Sequence, residues 1–336
     1  MADMTGPGRP HLPMILRWSG RVLSFAMVAA IAVWMLRELD VQDAIGRLHR
    51  GQLYAVALVQ PLVVVVYFIL GWRFSHLAAP PTVPIMAATR AMALSAGLNY
   101  LLPARTSELV KALYLRRAGD RGSGALMAAI VVERLMDLCI VATLTTLVVA
   151  ARMASSAWAA LGAALGAACC LWLSPHIARI TLRASAGWSW TRLRALLGDF
   201  AERIHVLSRV HFDARIWAMG VTAWALSWMA VHVAMTATLR TDVSWSASGL
   251  VFVASTLGFG IPLLPGGVGT VEVAAVAAQR LLGIELEPAV VVAAVMRLQQ
   301  VIVPLLWSML ILLQEGDLWR RIRGAEENPV AEVSKL

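Results

Sequence analysis

What most restricts the fold of this chain is a series of apolar stretches of bilayer length, accompanied by two more that proline and glycine break partway. A spanning helix needs about 20 predominantly apolar residues. Six stretches qualify, at roughly 20–36, 53–72, 124–150, 156–173, 216–238 and 288–313. Hydrocarbon offers backbone groups no water, so segments that cross it must close their hydrogen bonds internally. The expected fold class is therefore an all-α polytopic membrane protein with about six transmembrane helices. Composition agrees, since 59% of residues are apolar and the mean hydropathy is +0.72, beyond the range of a soluble globule.

The two broken stretches are built alike. Residues 85–102 are apolar but contain Arg90 and Asn99 and stop at Pro103, after which 104–117 is amphipathic and basic. Residues 247–264 run into Pro265-Gly266-Gly267-Val268-Gly269 and then into the helical pattern 270–282. Each reads as a re-entrant hairpin, which is tolerated at membrane depth only where protein or a water-filled cavity surrounds it. Glycines allow positive φ and close backbone approach, so the second turn is expected to aim amide N–H groups at an anion, with Gly269 or Thr270 capping the next helix. It is not a Walker loop, because no Lys-Ser/Thr follows.

Charge is concentrated at these breaks. Arg105, Glu108 and Lys111 follow Pro103, and Glu133, Arg134 and Asp137 interrupt the apolar run 125–150. A charge at the centre of a spanning helix costs about 2.5–3.5 kcal/mol on insertion scales, so each must be paired, hydrated or put to use. Asp137 stands three residues from Arg134 and four from Glu133, within reach of either on a helix.

The pattern recurs about 163 residues later. Leu101-Leu102-Pro103 through Glu108 is echoed by Leu263-Leu264-Pro265 through Glu272, and Glu133-Arg134-Leu135-Met136-Asp137 by Met296-Arg297-Leu298-Gln299-Gln300. The interval from acid to arginine is 26 residues in the first copy and 25 in the second. Repeats with interrupted segments at matching positions are a mark of transporter folds. The alternative is an old duplication kept for packing, with the charges as structural ion pairs.

Basic residues set the expected orientation. The interval 105–121 holds five basic and two acidic residues, and 175–213 holds six and three, so both belong in the cytoplasm. Six spans then leave both termini cytoplasmic, with the hairpins entering from opposite faces and the halves, about 53–150 and 216–314, forming an inverted repeat. The single membrane domain covers 18–314, between polar tails at 1–17 and 315–336. Its interval 175–215 reads as an amphipathic interfacial helix. The first apolar run lacks a small-residue cleavage site and is expected to stay as a span. Pro61 predicts a kink in the second span, which Arg73 is expected to end.

Several functions find little support. Of the 29 basic residues 27 are arginine, mostly flanking apolar runs, which fits headgroups and topology and not nucleic acid. Cys139, Cys169 and Cys170 lie in apolar spans without metal or disulfide spacing. Seven histidines form no H-E-x-x-H, and no G-x-S-x-G occurs. His232, within a span, reads as a hydrogen-bonded structural group. No metal or cofactor is expected.

At Asn99…Pro103-x-Arg105-x-x-Glu108, Glu133-Arg134-x-x-Asp137, Pro265-Gly266-Gly267-x-Gly269-x-x-Glu272 and Arg297 the chain resembles the flippase-like transmembrane family named after lysylphosphatidylglycerol synthase. The resemblance runs from about Val22 to Leu313. It implies lipid movement between leaflets of the bacterial inner membrane. Ser107 and Lys111 depart from the Gly and Arg that the pattern leads one to expect. The family's synthases carry a further soluble aminoacyl-transfer domain, which the roughly 23 residues after the last span do not supply, so aminoacylation is not expected. Stand-alone relatives are associated with hopanoid, glycolipid and lipid-linked sugar pathways.

The leading expectation is a translocator of an anionic phospholipid, a glycolipid or a polyprenyl-linked lipid. Its substrate-binding residues would be Asn99, Arg105, Glu108, Lys111, Glu133, Arg134, Asp137, Gly266, Gly267, Gly269, Glu272, Arg297 and Gln300, with Pro103 and Pro265 at the turns. The cations would meet a phosphate or sugar-phosphate, while the acids would hold them and take protons. The alternatives are a non-transporting scaffold for lipid or glycan biosynthetic enzymes and, less favoured, an intramembrane lipid-modifying enzyme.

Overall fold

The computed structural model describes residues 50–78, 83–100, 102, 106–117, 123–152, 213–260 and 265–315. The expected spans at 20–36 and 156–173, nearly all of the interfacial segment, both tails except residue 315, and the side chains of Pro103 and Arg105 lie outside them. So do Cys169 and Cys170.

Every element among the described residues is helical. In chain order they are α1 (Arg50–Leu77), α2 (Ile85–Leu98), α3 (Ser107–Arg117), α4 (Ser123–Arg152), α5 (Ala214–Leu239), α6 (Trp245–Gly260), a 3-10 turn (Pro265–Gly267), α7 (Thr270–Leu281) and α8 (Leu286–Gln314). Helices α1, α5 and α8 are long and apolar enough to cross a membrane. Helix α4 is 30 residues long but carries the Glu133, Arg134 and Asp137 charges. Helices α2 and α6, with 14 and 16 residues, are too short. At 1.5 Å per residue they reach about 21 and 24 Å against roughly 30 Å of hydrocarbon. Each packs against the helix after its break, α2 on α3 and α6 on α7.

Local sequence explains where these helices start and stop. Asp213 Oδ1 accepts from the Arg215 backbone N–H at the head of α5, and Arg240 ends that helix in the left-handed region. The Ser244 hydroxyl accepts from Ala247 N–H at the start of α6. Gly269 is the N-cap of α7, with φ at 84°, and Gly283 turns the chain into α8. Helix α1 continues through Pro61 and past Arg73 to Leu77, so Arg73 does not end it. Arg73 is completely buried.

The repeat seen in the sequence returns in the architecture. Both halves run long, short, short, long: 28, 14, 11 and 30 residues from α1 to α4, then 26, 16, 12 and 29 from α5 to α8. The packing repeats as well, because each well-packed helix pair has its counterpart when α1–α4 are exchanged with α5–α8. Thus α2 lies on α8 as α6 lies on α4, and α1 packs on its own counterpart α5. Two buried clusters result. Phe74, Leu94, Leu115 and Met136 lie in one, joined by Ile216 of α5 and Ile311 of α8; Met235, Phe252, Val276 and Val292 lie in the other, joined by Val56 of α1. Close helix contact depends on missing side chains: a Cβ at Gly71 would run into Thr89 of α2, and one at Gly97 into Ser308 of α8.

Candidate functional site

Three helices bring the first half's charges into a closed ring. Lys111, one turn into α3, reaches Glu133 of α4 at 2.6 Å and Glu108 of its own helix at 3.3 Å. Glu108 pairs with Arg134 of α4, and Arg134 donates to Asp137 one turn further on at 3.2 Å. Asp137 is met from α1 by Arg73 at 2.8 Å, and the same guanidinium nitrogen donates to the Glu133 carbonyl at 3.1 Å, which closes the circuit. Trp224 of α5 adds an indole N–H to Asp137 at 3.2 Å.

Three cations face three carboxylates, so the ring is formally neutral. Lys111 and Arg134, the cations expected here to meet a phosphate, are thus each held by acids of the same ring. Burial separates their roles. The side chains of Arg73 and Lys111 are 0% exposed and that of Glu133 only 2%, whereas Arg134 is 47% exposed. Lys111 is further enclosed by Met92 sulfur at 3.6 Å and by the Phe74 ring, 4.6 Å from its centroid. Among the described residues two of the Arg73 guanidinium nitrogens have no hydrogen-bond partner, one of them beside Gly220. On the sequence alone Arg73 marks the end of a span, yet α1 runs past it to Leu77. A single arginine at the edge of an apolar run looks the same whether it stops a helix or is buried by its neighbours.

Asn99 and Ser107 frame the first break. Asn99 is the C-cap of α2, and its side-chain oxygen accepts from the Ser107 hydroxyl at 3.4 Å. Ser107 is thus a buried tie between the two arms.

The second half repeats the pair of acid and arginine in simpler form. Glu272, in the first turn of α7, holds Arg297 of α8, and Arg297 is the twelfth residue of its helix as Arg134 is of α4. The remaining Arg297 donors go to the carbonyls of Gly266 at 2.9 Å and Gly267 at 3.2 Å. The turn therefore gives its carbonyl oxygens to a cation, where the sequence led one to expect N–H groups aimed at an anion. The Gly269 N–H is spent on Glu272 Oε2 at 2.7 Å, and Thr270 bonds back to the Gly267 carbonyl. Gly266 needs its glycine twice, for φ at 64° and because a Cβ would strike the ring of Tyr100.

Tyr100 joins the two assemblies. It follows Asn99 in the first half, lies on Gly266 of the second, and holds its ring centroid 5.9 Å from the Arg297 guanidinium. Its hydroxyl donates to the Gln300 carbonyl at 3.4 Å, which is where Gln300 enters the site. The two broken segments thus meet. Elsewhere, His232 bonds Ser248 at 3.1 Å and stacks on Trp245, as expected of a structural histidine. Among the described residues no group of three or more His, Cys, Asp or Glu is placed to hold a metal.

A scan against protein families matches residues 21–308 to the lysylphosphatidylglycerol synthase TM region. The chain belongs to that family. Membership makes it a membrane protein of lipid biosynthesis or transport. The matched stretch contains both broken segments and both pairs of acid and arginine, so the lysylphosphatidylglycerol synthase TM region is the unit within which the ring and its counterpart belong. No curated protein and no solved structure matches the chain.

Proposed function

We propose that the protein moves a lipid with an anionic headgroup between leaflets, and that Arg134 is the residue the headgroup meets. One observation carries this reading. Arg134 lies roughly 17 Å along α4, at 1.5 Å per residue, yet its side chain is 47% exposed. Ionisable groups at such depth face a bundle interior or a water-filled cavity and mark the path of a substrate. A phosphate arriving there competes with Glu108 and Asp137 for the guanidinium, while Lys111 and Arg73 keep those acids in place. The substrate class is a phospholipid, a glycolipid or a polyprenyl-linked lipid. An open apolar cleft of about 680 Å³ between Tyr54, Leu58 and Pro61 of α1 and Val233 and Ala237 of α5 suits an acyl or prenyl chain.

The paired architecture supports alternating access by an inverted repeat of six spans and two re-entrant hairpins. In this reading the protein lies in the inner membrane, and its basic intervals favour both termini in the cytoplasm. In this reading the chain serves a pathway whose enzymes make or use the lipid, and it carries out no bond chemistry itself.

The neutrality of the ring favours a second reading, a scaffold whose charges are structural pairs. Leaflet exchange of a fluorescent anionic lipid in proteoliposomes decides between them. Translocation predicts acceleration by the wild type and its loss in Arg134→Ala and Glu272→Gln. Equal exchange in all three removes the site, and a wild type without exchange leaves the scaffold.

A further inference from the structure

We propose that Tyr100 is a positioning residue that transmits movement of the first half's broken segment to Arg297 of the second. The inference rests on the translocation reading for its consequence, but its evidence is independent of that reading. Three features of the second half are shaped to receive this one side chain. Gly266 has no Cβ where the ring lies. Pro304 lies inside α8 and, having no N–H, leaves the Gln300 carbonyl without its donor from the next turn; the Tyr100 hydroxyl supplies one. The Arg297 guanidinium lies within cation–π range of the ring.

The arrangement has a mechanical meaning. Two of the acceptors holding Arg297 are the carbonyls of Gly266 and Gly267, on the turn that Tyr100 covers. On its other side Tyr100 follows Asn99, which is tied to Ser107 beside Glu108. A rearrangement at the Arg134 ring that shifts α3 pulls on Asn99 and so on Tyr100. The turn loses its cover, and Arg297 loses the geometry of its carbonyl ligands. Coupling of this kind acts between two sites through a contiguous set of packed groups.

Arginine modification by phenylglyoxal, followed peptide by peptide in protein reconstituted in lipid nanodiscs, tests this without any transport assay. Arg134, already exposed, serves as the reactive reference and the enclosed Arg73 as the silent one. In Tyr100→Ala and Tyr100→Leu, Arg297 modification should rise at least about threefold while Arg134 stays unchanged; Tyr100→Phe, which keeps the ring on Gly266, should remain close to wild type. Leucine restores bulk but not a flat ring, so wild-type protection in Tyr100→Leu would reduce Tyr100 to filler and overturn the proposal. So would unchanged Arg297 modification in Tyr100→Ala, or a joint rise at Arg134 and Arg297. Leaflet exchange measured alongside keeps the readings apart, because a wild type that exchanges no lipid defeats translocation while the Arg297 result still decides the role of Tyr100.

Discussion

Lys111 and Arg134 belong to one ring, but burial gives them opposite sensitivities. Removing one partner of a buried pair leaves the other charge uncompensated and costs about 3–5 kcal/mol, whereas an exposed pair contributes about 0–1 kcal/mol. Lys111→Met should therefore lower the thermal unfolding temperature in nanodiscs strongly, by stranding Glu133 at 2% exposure. Arg134→Ala should leave it nearly unchanged while removing lipid movement. A large stability loss from Arg134→Ala would assign that residue to the framework. Gly266→Ala offers a third contrast at this scale. It forces alanine to φ near 64° and drives a methyl into Tyr100, so it should destabilise by about 1–3 kcal/mol for the backbone alone. Tyr100→Ala in the same chain should relieve only the steric part, a difference that a double-mutant cycle of melting measurements reads directly.

At the scale of elements, a small polar cluster ties α2 and α3 to the C-terminal end of α8. Arg90 donates to Gln314 at 2.6 Å and lies 3.6 Å from Glu315, whose carboxylate also accepts from Tyr114 at 3.1 Å. The positions one repeat away, Val253, Ala277 and Arg152, cannot form the same tie. Glu315→Gln should leave the fold intact, at a cost of under about 1 kcal/mol. Hydrogen exchange should quicken in α2 and not in α6; equal quickening of both would mean that the cluster does not hold α2. The elements themselves were largely legible from apolar run length and from Pro and Gly. The expected helix at 124–150 is covered by α4, whereas the first arm, expected to run to Pro103, ends at Leu98, and α6 is described as helical to Gly260, short of the expected 264. Contacts between distant segments were not legible. Arg73, Trp224 and Tyr100 have no periodic or motif signal, and they reach the site only through the packing of α1, α5 and α2. The glycine turn is legible but its polarity is not, because sequence shows that a backbone approaches closely and not whether N–H or C=O faces inward.

On the scale of the whole molecule, the repeat is the organising fact. An interval of 26 residues in one half and 25 in the other becomes the same bond between acid and arginine, made twice between equivalent helices. The halves are not equal in chemistry. The first surrounds its arginine with carboxylates and buried cations; the second holds its arginine with one carboxylate and two carbonyls. In the proposed translocator one half would meet the headgroup at Arg134 and the other would respond through Arg297, with Tyr100 between them. The most direct test is a structure of the protein in nanodiscs rich in anionic lipid. The account predicts a lipid headgroup within about 3 Å of the Arg134 guanidinium, at the distance of a charge-assisted hydrogen bond. Apolar side chains sealing the exposed face of Arg134, or a headgroup seated away from both arginines, would contradict it.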